Sequence, residues 1–334
     1  MSKNFKMKLG IIGCGLIGRK RAAACAELQL AAAADVVFDR AETLCRQFGG
    51  TASSNWQDVL TSDADIVVVA TTHDRLAEIA LQAVEAGKHV LVEKPGGRNA
   101  GELAPVAELA DQKSLYVKVG FNHRFHPAMQ RARALVDKGA IGPLMFIRGR
   151  YGHGGRLGYE REWRFKRGIS GGGELLDQGS HLIDLAGWFL GDFSEVHGEL
   201  SRFFWEGSVE DNCFMLLKTR ENQCAQLQAS WTEWKNMFSF EIYGRGGKIA
   251  IDGLGGSYGT EQLAFYKMSP EMGPPETRIW QYPFPDNSWE TEMREFMAAI
   301  EEKRCPVGDA REALKTLSVI DTLYEKILRV EGHI

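Results

Sequence analysis

Three patterns in this 334-residue chain carry groups able to do chemistry. In the stretch 174–190, directly after the flexible run Gly171-Gly172-Gly173, Asp177, His181 and Asp184 follow one another at spacings of four and three, which on a helix gathers two carboxylates and an imidazole on one face. Imidazole titrates near neutral pH, so His181 suits proton transfer and a neighbouring carboxylate can orient it. The same three groups could equally satisfy one another or the backbone. A second pattern, Glu93-Lys94-Pro95, ends a run of β character; there a lysine either meets a developing oxyanion or stands as a solvated strand-end charge. The third is Gly13-Cys14-Gly15-Leu16-Ile17-Gly18, directly after an apolar strand and opening a helix. In that context the glycines permit a tight turn and close backbone approach, placing a pyrophosphate at a helix N-terminus.

The elements that must position these groups divide into two domains. Over the first 120 residues, short β-rich runs at 8–12, 29–34, 65–70, 89–93 and 115–120 alternate with helical patterns such as 75–86, the signature of a parallel sheet covered by helices. After Pro143 come strand-like segments at 144–153, 196–205, 212–219, 223–232, 238–243 and 248–251, with one clear helix, 174–190, among them. A Gly/Pro-rich stretch, 253–275, reads as loops, and helical patterns at 289–301 and 309–330 finish the chain. The expected fold is an α/β Rossmann dinucleotide-binding domain, residues 1–121, plus an α+β domain with an open, mostly antiparallel sheet, residues 122–334, whose last helix is able to pack back on the first domain. Lysine 94 falls at the carboxyl end of the sheet, where ligands bind in open α/β folds.

An acidic residue ending the second strand should accept hydrogen bonds from the adenosine ribose. Asp35 and Asp39 both fit the spacing. Asp39 reads as the N-cap of the following helix, which leaves Asp35 for the ribose. Val36 and Val37 follow it, so NAD is expected over NADP, although Arg40 is near enough in sequence to meet a 2′-phosphate. Before the 174–190 helix lies a concentration of donors: His153-Gly154-Gly155-Arg156, Tyr159, Arg161, Trp163-Arg164, Lys166 and Arg167. Guanidinium groups suit carboxylate or phosphate and aromatic rings suit a sugar face, so the loop could hold an anionic, sugar-like substrate; it could also be a solvated loop balanced by Glu160, Glu162 and Glu174. Trp231, Trp234 and Lys235, near the end of a later strand, could add to that pocket, though core packing is the safer reading for the two tryptophans.

Composition narrows the partners. With 44% apolar and 25% charged residues and a net charge of −4, the chain is an ordinary globular protein with no basic excess for nucleic acid or an anionic membrane. The apolar run after Met1–Lys8 is too short for a leader or a membrane span, and six cysteines without C-x-x-C spacing read as buried thiols, so a cytoplasmic protein without a metal site is expected.

Glu93-Lys94-Pro95, Gly120-Phe121-Asn122-His123-Arg124-Phe125-His126-Pro127, Trp163-Arg164, and Gly171-Gly172-Gly173 followed by Asp177, Gly179, His181 and Asp184 together resemble the glucose-fructose oxidoreductase / inositol dehydrogenase (Gfo/Idh/MocA) family, across essentially the whole chain. The resemblance implies a catalytic group of Lys94, Asp177 and His181. It implies a cofactor site of Gly13, Gly15, Leu16, Ile17, Gly18, Asp35, Ala70, Thr71, His73, Leu76, Glu93, Lys94, Asn122, Trp163 and Arg164. Where the family usually has Thr-Pro-Asn and then His, this chain departs with Thr71-Thr72-His73 and then Leu76. Substrate would meet Lys94, Asn122, His123, His153, Arg156, Arg164, Asp177 and His181.

The function this implies is an NAD-dependent dehydrogenase of a secondary hydroxyl on a sugar, sugar acid or cyclitol, assembled as a homodimer or homotetramer through the open sheet. Rival readings are a dehydrogenase of a sugar phosphate or nucleotide sugar, an NAD-dependent glycosidase, and a non-catalytic dinucleotide-dependent regulator.

Overall fold

The computed structural model describes residues 7–271 and 273–330; residues 1–6, most of the Met1–Lys8 stretch that precedes the short apolar run, lie outside the described residues. Two compact units are present. One reaches to residue 121 and includes 289–314, and the other comprises 122–288 and the segment from 315 on. The segment 289–314 therefore packs with the first unit and not with the second domain, where the sequence reading put it. Its Met293 and Phe296 are fully buried in a core with Leu9, Ile11, Ile66 and Val68.

In the first unit, β1 (Lys8–Ile12), β2 (Gln29–Ala34), β3 (Thr51–Ser53), β4 (Ile66–Val69), β5 (His89–Val92) and β6 (Val117–Val119) form one sheet in the order β3-β2-β1-β4-β5-β6. All five pairings are parallel. Helices α1 (Leu16–Ala24), α2 (Phe38–Phe48), α3 (Gln57–Leu60), α4 (His73–Glu85) and α5 (Ala100–Lys113) connect them. The near-continuous apolar runs of β4 and β5 are what a strand covered on both sides requires. Strand order reverses between β1 and β4, so the crevice for a ligand opens at the carboxyl ends of these two strands.

The second unit carries an eight-stranded sheet in the order β14-β13-β12-β11-β7-β10-β9-β8. Its strands are β7 (Leu144–Gly152), β8 (Phe193–Ser201), β9 (Asn212–Thr219), β10 (Cys224–Ser230), β11 (Met237–Gly244), β12 (Gly247–Asp252), β13 (Glu261–Lys267) and β14 (Glu276–Tyr282). Only β7 and β10 pair in parallel. The β13 strand lies inside 253–275, which the sequence reading gave wholly to loops; turns before and after this short strand, not the strand itself, hold the glycines and prolines. Helix α6 (Pro127–Asp137) follows a short 3-10 turn, Asn122–Phe125, and α7 is the single turn Arg167–Ser170. The expected 174–190 helix is in fact a π-helical turn, Leu175–Gly179, running into α8 (Ser180–Leu190). Helix α8 packs on β7 and β10, where Leu182 meets Leu227 and Phe240 around Gly149. On the sheet's other face Arg148, Phe214, Leu216 and Gln226 are exposed. Helices α9 (Ser288–Glu302) and α10 (Ala310–Val330) complete the chain. No helix among the described residues is long and apolar enough to cross a membrane.

Candidate functional site

In the first unit the glycine motif is built for two purposes. A Cβ at Gly13, where φ is +92°, would stand 2.4 Å from the Ala70 carbonyl oxygen, and one at Gly18 would stand 1.9 Å from that of Gly13, so both glycines let backbone meet backbone. Gly15 is different. A Cβ there would have nothing within 4 Å, and Gly15 is the N-cap of α1, so the first-turn N–H groups face open space where an anion can sit. Leu16, two-thirds exposed, and Ile17 flank that opening.

Asp35 follows β2 and is fixed by two backbone donors, the Cys14 N–H at 2.8 Å to Oδ2 and the Val37 N–H at 2.8 Å to Oδ1. The carboxylate is thus tied directly to the glycine loop. Arg40 approaches to 3.8 Å from Oδ1 and is itself exposed. Asp39 is not the N-cap expected of it: α2 begins at Phe38, its N-cap is Val37, and Asp39 lies within the first turn.

Ala70 and Thr71 continue from β4, half-buried, and His73 opens α4. Leu76, taken from the family pattern as a lining residue, is fully buried and has no surface to offer a ligand. Lys94 follows β5, half-buried, and the Lys94-Pro95 peptide is cis. The Glu93 carboxylate is committed elsewhere than to a ligand: Arg21 Nε donates to it at 2.5 Å, and Arg21 Nη1 donates to Glu292 at the same distance. Burial pushes the Glu93 carboxyl up against the pull of Arg21, while the two carboxylates hold the Arg21 guanidinium above its ordinary value despite its own burial. The two shifts have different origins, burial for Glu93 and the carboxylate partners for Arg21. Lys118, also fully buried, stands 3.9 Å from Glu292 and 3.5 Å from Glu295. Neither Arg21 nor Lys118 was singled out in the sequence, because their partners are far along the chain.

In the second unit the polar stripe separates into different partnerships. Asp184 receives a two-pronged bond from Arg124, Nε to Oδ2 at 2.8 Å and Nη2 to Oδ1 at 2.7 Å, all buried. It holds the 3-10 turn to α8. The His181 ring stacks on His123, centroids 3.7 Å apart and planes 19° apart. His123 Nδ1 lies 3.2 Å from Asn122 Oδ1, and Asn122 Nδ2 donates to Ser288 Oγ at 2.8 Å. His126, next on the turn, meets Glu261 at 3.0 Å.

Asp177 sits in the π-helical turn, with Arg164 Nε 3.3 Å from its Oδ2. The Arg164 guanidinium lies over the Trp163 ring at 4.7 Å and also within 3.5 Å of Glu162, which in turn binds Arg156. These two arginines are therefore neutralised by carboxylates, and Arg156 is largely exposed. Burial pushes the His153 imidazole down, as do the charges of Arg164 and Arg156, while Asp177 pulls the other way. Tyr159 is no sugar platform: it is buried in an aromatic cluster with Phe165, Val209 and Trp231. Trp234, expected in the core, is 67% exposed.

The run Gly171-Gly172-Gly173 is not a flexible hinge. A Cβ at Gly173 would stand 2.0 Å from the Glu210 carbonyl oxygen, and the Glu210 carboxylate accepts the Gly173 and Leu175 N–H groups at 2.9 and 3.2 Å. Tyr324 of α10 donates to the same oxygen at 2.7 Å.

Residues 7–121 match a family described as oxidoreductase family, NAD-binding Rossmann fold (GFO_IDH_MocA), and residues 129–250 match the GFO/IDH/MocA C-terminal domain. The chain is 27% identical over 286 residues to levoglucosan dehydrogenase of Pseudarthrobacter phenanthrenivorans, covering 74% of this chain and 73% of that one. It is 30% identical over 226 residues to dTDP-3,4-didehydro-2,6-dideoxy-alpha-D-glucose 3-reductase of Actinomadura kijaniata, covering 66% and 67%. Among solved structures, levoglucosan dehydrogenase in complex with NADH superimposes with a TM-score of 0.85 at 24% identity, over 96% of each chain.

Proposed function

Since the chain belongs to the Gfo/Idh/MocA oxidoreductase family, we propose that it transfers hydride between a secondary hydroxyl of a neutral sugar or cyclitol, in preference to a sugar acid, and NAD, with Lys94, Asp177 and His181 as its catalytic residues. The observation that carries this reading is Lys94 at the carboxyl end of β5, in the sheet whose crevice begins at the open Gly15 turn. The residues present suit a dinucleotide: an open helix N-terminus for its pyrophosphate and Asp35 at the end of β2 for a ribose. Asp35 next to the exposed Val36 favours NAD over NADP, since a carboxylate repels a 2′-phosphate.

When bound, the nicotinamide accepts or supplies the hydride. His181 takes the proton of the reacting hydroxyl as general base. Lys94 donates a hydrogen bond to that oxygen and stabilises the charge developing on it. Asp177, anchored by Arg164, accepts from a substrate hydroxyl. Because Glu162 and Asp177 already neutralise Arg164, and Glu162 binds Arg156, the loop is not a bare anion receptor; this argues for a neutral ring over a phosphorylated or nucleotide-linked one.

We infer also a homo-oligomer joined through the sheet face that bears Phe214 and Leu216, supported by their exposure of 39% and 51% in mid-strand. Six free cysteines support a reducing, cytoplasmic setting.

The test is NADH absorbance over a panel of free sugars, sugar acids and cyclitols beside their phosphorylated and nucleotide-linked counterparts. Lys94→Ala and His181→Ala should each lose about 100- to 10,000-fold in turnover while still binding dinucleotide. Near-normal turnover by His181→Ala would refute the assignment, and a preference for the charged counterparts would refute the neutral ring.

A further inference from the structure

We propose that the exposed aromatic pair Phe204 and Trp234 is a platform for a second ring, so that this protein acts on glycosides, a sugar joined to another sugar or to an aryl group, in preference to free monosaccharides. The proposal rests on the dehydrogenase reading above and specifies its substrate class.

Single exposed apolar side chains are ordinary. Here two large rings from distant segments meet in water: Phe204 is 57% exposed, Trp234 is 67% exposed, and their centroids lie 4.9 Å apart at 80°. Phe204 is held rigidly. The N–H groups of Phe203, Phe204 and Trp205 donate to the one carboxylate of Asp211 at 2.9, 2.8 and 2.9 Å. Burial opposes the charge on Asp211, yet these bonds and the Asn212 amide hold its carboxyl below the ordinary value. The neighbouring indole is pinned too, Trp205 Nε1 donating to the Trp231 carbonyl at 2.9 Å. Aromatic residues displayed on a fixed backbone cost little entropy on contact with a ligand.

The platform stands beside the candidate site of this unit. Residues 231–236 link β10 to β11, and both strands pair with β7, so the link crosses the end of β7 at Gly152. Two residues on is Gly154, where a Cβ would stand 3.2 Å from Cε3 of Trp234, so the loop lies against the indole. Its neighbour His153 feels the charge of Asp177. Side-chain contacts join the two: Asp177 meets Arg164, which shares Glu162 with Arg156, the Arg156 guanidinium lies over Tyr159, and the Tyr159 ring meets Trp205, which packs edge-on against Phe204. Beside the platform Glu233 is paired with Arg150, and the Asn236 amide donates to the Ser257 carbonyl. Apolar C–H faces of a pyranose, or a phenyl ring, stack on such rings, while their edges stay in water.

The experiment compares kcat/KM of the full-length protein with NAD for D-glucose, phenyl β-D-glucoside and cellobiose, in wild type, Phe204→Ala, Trp234→Ala and Trp234→Phe. Wild type should prefer the two glucosides. Each alanine variant should lose roughly three- to ten-fold on the glucosides and less than about two-fold on glucose, with Trp234→Phe restoring most of the loss. A wild type that favours glucose, or variants that change all three substrates alike, overturns the proposal. So does a change of oligomeric state in Trp234→Ala by light scattering, which would make the rings an interface between copies. If none of the three is oxidised, the dehydrogenase reading fails for this panel, and calorimetry with NADH present still decides the platform: phenyl β-D-glucoside binding wild type but not Trp234→Ala supports it, and equal binding to both overturns it.

Discussion

Replacing Arg21 by methionine keeps the side chain's bulk and removes the cation that bridges Glu93 and Glu292, in a place with no exposed side-chain surface at Arg21. Lys118 still faces Glu292, so the carboxylate that loses its paired cation is Glu93. The variant has two routes: bury that charge, which typically costs ~3–5 kcal/mol, or protonate it. Protonation at pH 7.5 of a carboxyl whose ordinary value is 4.5 costs about 4 kcal/mol, from ~1.36 kcal/mol for each of three pH units. At pH 5.5 the same route costs only about 1.4 kcal/mol. The sign follows from the direction of the shift. A carboxyl whose folded value is raised has its stability fully present below the ordinary value and loses it as pH rises toward the folded value, so the defect of the variant must grow from acid to neutral pH. For a unit of this size ~2–4 °C is lost per kcal/mol, giving a fall in Tm of roughly 8–16 °C at pH 7.5 and roughly 3–6 °C at pH 5.5 against wild type at the same pH. Scanning calorimetry at both pH values measures this. A loss of equal size at the two pH values, or under about 1 kcal/mol at pH 7.5, would refute the claim that Arg21 neutralises a buried carboxylate immediately before Lys94.

Two further outcomes follow from the cofactor turn and the open sheet. Asp35→Ser should lower the preference for NAD over NADP by roughly ten-fold or more, because it removes the carboxylate that repels a 2′-phosphate and leaves Arg40 to meet one; adding Arg40→Ala should abolish the gain in NADP binding, and an unchanged ratio in fluorescence titration would dismiss Asp35. Leu216→Glu, in the middle of the exposed sheet face, should yield monomers by light scattering at micromolar concentration, whereas a monomeric wild type would remove the proposed interface.

Local signals carried the first unit. Gly13, Gly15 and Gly18 announce their turn because a tight strand-to-helix turn admits few other residues, and the buried strands β4 and β5 are too apolar to be misread. The polar stripe was legible only as a spacing. That Asp184 serves Arg124, that Asp177 serves Arg164 and that His181 stacks on His123 depend on contacts made across the fold, which periodicity does not encode. The same limit hid Arg21 and Lys118, whose burial is tolerable only beside Glu292 of a segment nearly at the other end of the chain. Glycine misled in both directions. The run 171–173 reads as flexible but is there because Glu210 and Tyr324 press against it, and the glycines around β13 conceal a seven-residue strand.

The position of β7 bears on how the second unit comes together. It is the first strand of its sheet to be synthesised, yet its two neighbours, β10 and β11, are made much later, and they follow each other in the chain without touching. The hairpins β8-β9-β10 and β11-β12-β13-β14 can each close through local turns, but neither is complete without a strand that both must receive between them. Closing such long loops is slow, and until it happens two bare strand edges wait for a partner. Refolding should therefore show early hairpin protection and a late, concentration-sensitive step at 144–152, the strand that leads into His153.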